Sequence, residues 1–236
     1  MTIALLLLAV VLGVAGAFVF PAEGKGLKYF TAFSGGLLLS ISFLELLPES
    51  FKELGSSVGF WILAGFFLQI ILDFFSKGLE HGHVHLDDKE HGRVPYLLLV
   101  GLYLHALLEG MSLHEHASGD ILSRDHNHGL LWGIVVHKIP VALILFQFLR
   151  VKQIKWPGLF VLMAIFALMS PLGRFMSEYV QALNSALPKV KALVVGIFLH
   201  IAATILYEST ESHRFNALKL FAVGIGLAAG WATVAF

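Results

Sequence analysis

Long apolar stretches, separated by short polar segments, follow one another along the chain. They cover residues 3–20, 29–47, 57–76, 95–113, 130–149, 156–176, 189–207 and 216–235. An α-helix needs about 20 apolar residues to cross the core of a bilayer, and each stretch is close to that length. The pattern predicts an all-α integral membrane protein: one domain over residues 1–236, built as a bundle of eight transmembrane helices.

The first stretch has an alternative interpretation. TIALLLLAVVLGVAGAFVF could be a signal peptide, because VAGA supplies the small residues of a cleavage site. No Lys or Arg precedes it, so the basic region that opens a signal peptide is missing. A first transmembrane span is therefore the preferred interpretation.

The charged loops predict an orientation. Lys and Arg are concentrated in the loops after the first, third, fifth and seventh spans, and loops rich in these residues face the cytoplasm. Both termini are then extracellular or periplasmic. The longest cytoplasmic loop, at about residues 77–94, contains the His-rich sequence HGHVHLDDKEHG. Such a tract indicates metal binding by composition only, as a sensor, a buffer or with no role.

Composition supports the membrane assignment and narrows the chemistry. The chain is 57% hydrophobic and 14% charged, whereas soluble domains are about 45–50% apolar and about 25% charged. Its net charge is zero, which argues against nucleic acid as a partner. It contains no cysteine, so disulfides and thiolate metal ligands are excluded. Any tight metal site must use His, Asp and Glu.

Polar residues follow one face of the fourth predicted span. His105, Glu109, Ser112 and His116 are spaced i, i+4, i+7 and i+11, so they form one stripe on a helix. An ionisable side chain inside a membrane costs several kcal/mol unless it is paired, and its default interpretation is functional. The stripe therefore predicts a surface that faces other helices or a watery cavity.

The fifth predicted span adds a second imidazole. His137 is followed three residues later by Pro140, which removes the amide that would pair with the carbonyl of Val136. Two imidazoles and a carboxylate suit a divalent ion such as Zn²⁺. The spacing of His105 and Glu109 also fits a purely structural pair, so a metal site and a structural pair both remain open on spacing alone.

Four motifs together resemble those of the ZIP family of divalent-metal transporters. The family pattern H-[NS]-x-x-E-G in the fourth span is matched by HALLEG at 105–110, and H-[EK]-x-x-x-A in the fifth by HKIPVA at 137–142. S-P-L-G of the sixth span stands at 170–173, and H-L-L-P-E of the second resembles ELLPE at 45–49. The resemblance covers nearly the whole chain.

The resemblance implies a transporter that moves Zn²⁺ toward the cytoplasm by alternating access, not an enzyme. His105, Glu109 and His137 would be the ligands of its central site. Cd²⁺, Fe²⁺, Mn²⁺ and Co²⁺ are further substrates of the same chemistry, and no organic cofactor is expected. The implied location is the cell membrane, which the chain crosses several times (the inner membrane in a bacterium). Small-residue faces would allow a homodimer.

Three positions depart from the family members that hold two metals. Ala106, Lys138 and Val141 stand where those members have polar or acidic residues. We therefore expect a mononuclear site in which the ammonium of Lys138 replaces the second cation and balances Glu109. The alternative is that Lys138 extends toward the interface or pairs with Glu45.

Further polar residues flank the predicted site. Glu45, Ser112 and His116 could line an entrance on the outer side, and Glu208, Glu211 and His213 could receive the ion at a cytoplasmic exit. For the residues of the outer loop a solvated polar segment is the alternative, and for His116, on the same stripe as Glu109, the two interpretations are equally supported. Gly35, Gly36, Gly224 and Gly226 predict close contacts of the second and eighth spans.

Two functions from other classes remain open. Two His and one Glu with an open position also form the ligand set of a zinc hydrolase, here an intramembrane one. Such an enzyme needs a general acid or base near the metal, for which Lys138 is the obvious candidate. The third possibility is a metal-sensing or structural membrane protein that carries no flux.

Overall fold

The computed structural model describes residues 1–21, 24–76, 94–113, 128–207 and 217–235. These residues form α-helices and connecting turns, without a β-strand in the described ranges. The helices are α1 (Thr2–Gly16), α2 (Lys25–Ile41), α3 (Leu47–Leu54), α4 (Val58–Ser76), α5 (Tyr96–Ser112), α6 (His128–Val151), α7 (Trp156–Tyr179), α8 (Leu187–Tyr207) and α9 (Ala217–Ala235). The predicted all-α class is confirmed, and each predicted span falls on one of these helices.

Five helical segments are long and apolar enough to cross a membrane. They are Lys25–Phe75, His128–Val151, Trp156–Tyr179, Leu187–Tyr207 and Ala217–Ala235, and two shorter apolar helices cover Thr2–Gly16 and Tyr96–Ser112. Lys25–Phe75 combines the second predicted span with most of the third, and the chain between them leaves helical geometry at Gly55, where φ is +57°. The count of eight crossings and the side of the termini remain predictions, and the His-rich loop lies almost wholly outside the described residues.

The helix α6 lies at the centre of the bundle. In an apolar 18-residue stretch of α6, 83% of the residues are buried, whereas only 17% are buried in the corresponding stretch of α9. Its first half packs with α2 and α8 in one apolar cluster. Its second half packs with α5 and α7 in another. Residues near the middle of α6 therefore lie at the boundary between the two clusters.

Glycines bring pairs of helix backbones into close contact. A side chain at Gly36 would collide with the carbonyl oxygen of Val223, and one at Gly226 with the carbonyl oxygen of Phe33, so α2 and α9 need glycine there. The predicted close contacts are confirmed at these two glycines. Gly35 instead meets the side chain of Ile205 in α8, and Gly224 has no described neighbour within 4 Å, so the prediction is wrong for Gly224.

A π-helical turn separates α2 from α3. It covers Ser42–Leu46, and the hydroxyl of Ser42 donates to the carbonyl of Leu38 at 2.7 Å. Pro48 follows in the first turn of α3, where its missing N–H is tolerated. A π turn inserts one extra residue, which rotates the following side chains relative to a regular helix. The turn therefore changes the direction of Glu45.

Candidate metal centre

Three side chains meet inside the bundle where the sequence predicts a metal site. His105 and Glu109 lie one turn apart on α5, and His137 projects from α6. One ligand atom of each lies within 4.8 Å of the others. The three residues are 2%, 2% and 1% exposed, respectively. Within the described part of the chain they form the group of His, Asp or Glu residues that could share an ion.

The carboxylate of Glu109 has different partners on its two oxygens. Its Oε1 lies 3.0 Å from Nε2 of His105. Its Oε2 accepts a hydrogen bond from Nζ of Lys138 at 2.9 Å. The ring centroids of His105 and His137 are 6.3 Å apart, with the rings inclined at 75°. Glu109 therefore faces the imidazoles with one oxygen and the ammonium with the other.

Lys138 is enclosed together with Glu109. The residue is 2% exposed, and its ammonium lies 5.1 Å from the centroid of the Phe166 ring on α7. A cation over an aromatic face is stabilised, and more strongly when it is desolvated. The contact with Glu109 is the one that the mononuclear hypothesis requires. The alternative in which Lys138 extends to the interface or pairs with Glu45 does not agree with this geometry.

Two positions next to the candidate ligands carry side chains that cannot bind a second metal ion. Ala106 and Val141 are 1% and 2% exposed, and neither carries a metal-binding atom. A second divalent ion near Oε2 of Glu109 would also meet the ammonium of Lys138. The described surroundings of Glu109 thus fit one bound ion better than two.

The S-P-L-G segment of α7 holds α5 in place. The hydroxyl of Ser170 donates to the carbonyl of Ala106 at 2.7 Å. A side chain at Gly173 would collide with the carbonyl oxygen of Leu107, and one at Gly110 with the carbonyl oxygen of Ser170. The two backbones can approach only because both positions are glycine. This contact fixes the helix that carries His105 and Glu109.

The predicted entrance residues have other partners in this conformation. Ser112 is fully buried, and its hydroxyl donates to the backbone carbonyl of Glu109 at 2.7 Å. Glu45 is half-buried and accepts a hydrogen bond from the backbone N–H of Leu130. His116 and the predicted exit residues Glu208, Glu211 and His213 lie outside the described residues.

A second lysine–glutamate pair was not foreseen. Nζ of Lys191 on α8 donates to Oε1 of Glu49 on α3 at 2.7 Å. Lys191 is 2% exposed, and the side chain of Glu49 is 30% exposed. A lysine inside an apolar span was the available signal, but sequence spacing did not reveal its partner. Phe166 was also missed, because an aromatic residue in a membrane helix is unremarkable by itself.

Comparisons with known proteins agree with this geometry. A family model described as "ZIP Zinc transporter" matches residues 1–95 and 76–236, which together cover the chain. Protein zntD of Dictyostelium discoideum is 28% identical over 176 residues, covering 67% of this chain and 25% of that protein. The chain therefore spans about a quarter of the length of this curated relative.

Proposed function

We propose, because the chain belongs to the ZIP zinc transporter family, that it carries divalent metal ions across a membrane through His105, Glu109 and His137. The burial of two imidazoles and a carboxylate around a common point carries this proposal. Ionisable groups inside a membrane bundle are costly and usually mark a pathway for ions. Imidazole and carboxylate together suit Zn²⁺ first, and Cd²⁺, Fe²⁺, Mn²⁺ or Co²⁺ by the same chemistry.

The site is mononuclear in this proposal. Lys138 keeps one positive charge beside Oε2 of Glu109, where a second metal would otherwise compensate the carboxylate. The ion binds on the side of Oε1, where Nε2 of His105 is 3.0 Å away. Ligand atoms of a tetrahedral Zn²⁺ lie about 3.3 Å apart for bonds of about 2.0 Å. The pair of His105 and Glu109 is already near this spacing, and the third ligand atom lies within 4.8 Å of both. Water occupies the fourth position.

An open fourth position fits transport better than permanent retention. A closed set of four protein ligands holds zinc as a structural ion, whereas three ligands and an exchangeable position permit release. Transport requires the site to open alternately to the two sides. We propose that α1, α5, α6 and α7 move as one group against α2, α4, α8 and α9.

The packing supports this division. Backbone contacts through glycine join helices of the same group, as at Gly173 with Leu107 for α7 and α5, and Gly36 with Val223 for α2 and α9. Between the groups, α6 meets α2 through side chains: a Cβ at Gly133 would contact the side chains of Ile41 and Leu38. Side chains slide past one another more easily than interlocked backbones.

We extend the proposal to topology and location. The chain crosses the membrane eight times with both termini outside, moves metal toward the cytoplasm and resides in the cell membrane. A homodimer is compatible with its small-residue helix faces. Glu45, Ser112 and His116 lie on the entrance side, Glu208, Glu211 and His213 on the exit side, and the His-rich loop faces the cytoplasm. The loop asymmetry of Lys and Arg supports this orientation.

The intramembrane hydrolase receives less support from the geometry. The candidate acid or base, Lys138, is engaged by Glu109 at 2.9 Å and lies over Phe166. An ammonium held on a ligand of the metal is poorly placed to exchange protons with a substrate. Family membership also favours transport over catalysis in general terms.

One experiment separates these functions. The purified chain is reconstituted into sealed vesicles, and the entry of radioactive Zn²⁺ is followed from either side. We expect saturable entry that His137→Ala abolishes, together with one Zn²⁺ bound per chain in detergent. Binding without entry would contradict transport and favour a sensor or structural role. Two ions per chain would contradict the mononuclear site and leave transport intact.

A further inference from the structure

We propose that Glu45 is a latch: its carboxylate holds the first turn of α6 against the α2–α3 segment and keeps the metal centre closed. This inference rests on the proposed transport function, because a latch matters only where a site must open. Glu45 is then a positioning residue, which acts on His137 through α6 and does not itself bind the ion. The contacts of Glu45 with α6 support this role.

The contact is made at the beginning of α6. The carboxylate of Glu45 accepts a hydrogen bond from the backbone N–H of Leu130. Its Oε2 lies where a Cβ of residue 129 would stand, so only glycine leaves room for it. The first N–H groups of a helix have no partner within the helix, and they favour a negative charge. Glu45 supplies an acceptor for one of these N–H groups from another helix.

The backbone of the neighbouring segment directs Glu45 to this position. The residue lies inside the π turn Ser42–Leu46, and the extra residue of such a turn changes which way the side chain points. Irregular turns of this kind are frequent at functional sites. As a result of this local distortion, the carboxylate of Glu45 extends across the interface between α2 and α6.

The segment that carries Glu45 is itself anchored. One turn later, Glu49 binds Lys191 of α8 at 2.7 Å. The surrounding interface between α2 and α6 is apolar, with Ile41 and Leu38 packed at Gly133. Glu45 thus adds a hydrogen bond to a contact otherwise made by apolar side chains. Breaking it removes a polar link between the helix groups that we expect to move apart.

The described conformation is a closed one. The three residues of the metal centre are at most 2% exposed. Ser112, which follows Glu109 on α5 toward the same end of the bundle as Glu45, is fully buried. Because Glu45 stabilises α6 in this conformation, its removal should favour states in which this end of the bundle is open.

A cysteine reporter tests the latch without measuring transport. The chain contains no cysteine, so Ser112→Cys introduces a unique thiol, and its alkylation by iodoacetamide in detergent measures opening at that point. We expect Glu45→Ala to accelerate alkylation by up to about tenfold, as for the loss of one hydrogen bond. Glu45→Gln, which keeps an oxygen acceptor, should accelerate it less. Glu178→Ala, which removes a carboxylate paired with Arg174 within α7, is the matched control and should leave the rate unchanged.

A second variant breaks the same contact from the other side. In Gly129→Ala the new methyl group displaces the carboxylate of Glu45, which is the end of a flexible side chain and can move away. We expect the same acceleration as for Glu45→Ala, and no further increase when both changes are combined. This variant carries the test if Glu45→Ala fails to fold.

Two outcomes would overturn the latch. One is an unchanged alkylation rate in both Glu45→Ala and Gly129→Ala. The other is a higher KM for Zn²⁺ in Glu45→Ala and Glu45→Gln alike with no change in alkylation, which would make Glu45 an entrance ligand. The alkylation rate does not depend on Zn²⁺ flux, so a failure of the transport proposal appears separately, as vesicles that take up no metal.

Discussion

Two lysine–glutamate pairs lie in this bundle, and only one of them belongs to the candidate metal centre. Lys138 contacts Glu109 at 2.9 Å, and Lys191 contacts Glu49 at 2.7 Å. Both ammonium groups are almost completely buried. The pairs differ in the carboxylate. Glu49 is 30% exposed and has no imidazole partner among the described residues, whereas Glu109 is buried beside His105.

The difference shows what distinguishes a candidate metal site from a structural ion pair. The exposed part of Glu49 remains hydrated, so one lysine is enough to stabilise it. Glu109 has little access to water and places its second oxygen beside the imidazoles of His105 and His137, which are ligand types that a divalent cation would share with it. That oxygen is available to a divalent cation. The surroundings of the carboxylate, more than the ion pair, therefore indicate function.

The largest expected effect comes from neutralising each carboxylate in turn. Glu109→Gln replaces the carboxylate of the proposed metal site by an amide, and we expect Zn²⁺ uptake by vesicles to fall by more than the roughly 10–100-fold lost when only a supporting residue is changed. Glu49→Gln should leave uptake within about twofold, because this pair lies outside the proposed metal site and Gln keeps an oxygen that can accept from Lys191. Initial rates of radioactive Zn²⁺ entry measure both. Equal losses in the two variants would mean that the pairs do not differ in function.

Removing each lysine tests the stability of the two pairs. Lys138→Met leaves the buried charge of Glu109 without a partner, which destabilises a protein by about 3–5 kcal/mol. Lys191→Met leaves Glu49 partly hydrated, and we expect a loss of about 1 kcal/mol. Thermal unfolding in detergent, with and without Zn²⁺, provides the measurement.

Bound Zn²⁺ should compensate for the loss of Lys138 but not for the loss of Lys191. If Lys138 replaces a second cation, Zn²⁺ should raise the Tm of Lys138→Met more than that of the wild type, because the ion then neutralises Glu109 alone. The Tm of Lys191→Met should respond to Zn²⁺ as the wild type does. An equal Zn²⁺ response in all three proteins, with one ion bound and normal transport, would remove any role for Lys138.

Sequence periodicity was enough to predict the helices and the three candidate ligands. It was not enough to predict which side chains of different helices meet. His105 and Glu109 share a face because of their spacing on one helix, so their proximity was predictable. The meeting of Lys138 with Glu109 depends on how α5 and α6 are rotated about their axes. That rotation is set by backbone contacts, such as Gly173 with Leu107, which periodicity does not encode.

The π turn is the clearest limit of the periodic argument. Ser42–Leu46 contains one residue more than a regular turn, and the side chains after it are displaced from the stripe that an ideal helix predicts. The sequence placed Glu45 near an entrance but gave no sign that its carboxylate meets the amide of Leu130. A local deviation of this kind comes from tertiary packing.

The pH dependence of Zn²⁺ binding sharpens the comparison further. An imidazole must be neutral to bind metal, and its ordinary pKa is about 6.5. Below that pH, protons compete with Zn²⁺, and affinity should fall by about tenfold per pH unit for each proton displaced. Isothermal titration between pH 7.5 and 5.5 measures this fall. Glu49→Gln should show the wild-type profile, whereas a flat wild-type profile would exclude His105 and His137 as ligands.

The smallest expected effect comes from removing the hydrogen bond of Ser170, which supports the helix that carries Glu109. Ser170 donates to Ala106 across the α7–α5 contact at 2.7 Å, whereas Ser177 donates to Arg174 within α7 at 2.8 Å. Ser170→Ala should cost about 0.6–1.7 kcal/mol, the range of interhelical hydrogen bonds in membranes. It should also weaken Zn²⁺ binding a few-fold, because Ala106 adjoins His105.

The matched control for this support is Ser177→Ala. Its hydroxyl bonds to the same helix, so its loss leaves the α7–α5 contact intact, and we expect wild-type Zn²⁺ affinity with a smaller change in stability. Unfolding in denaturing detergent and Zn²⁺ titration measure both quantities. If Ser177→Ala weakened Zn²⁺ binding as much as Ser170→Ala, the effect would follow from α7 as a whole. The position of Glu109 would then depend on more than the single hydrogen bond between Ser170 and Ala106.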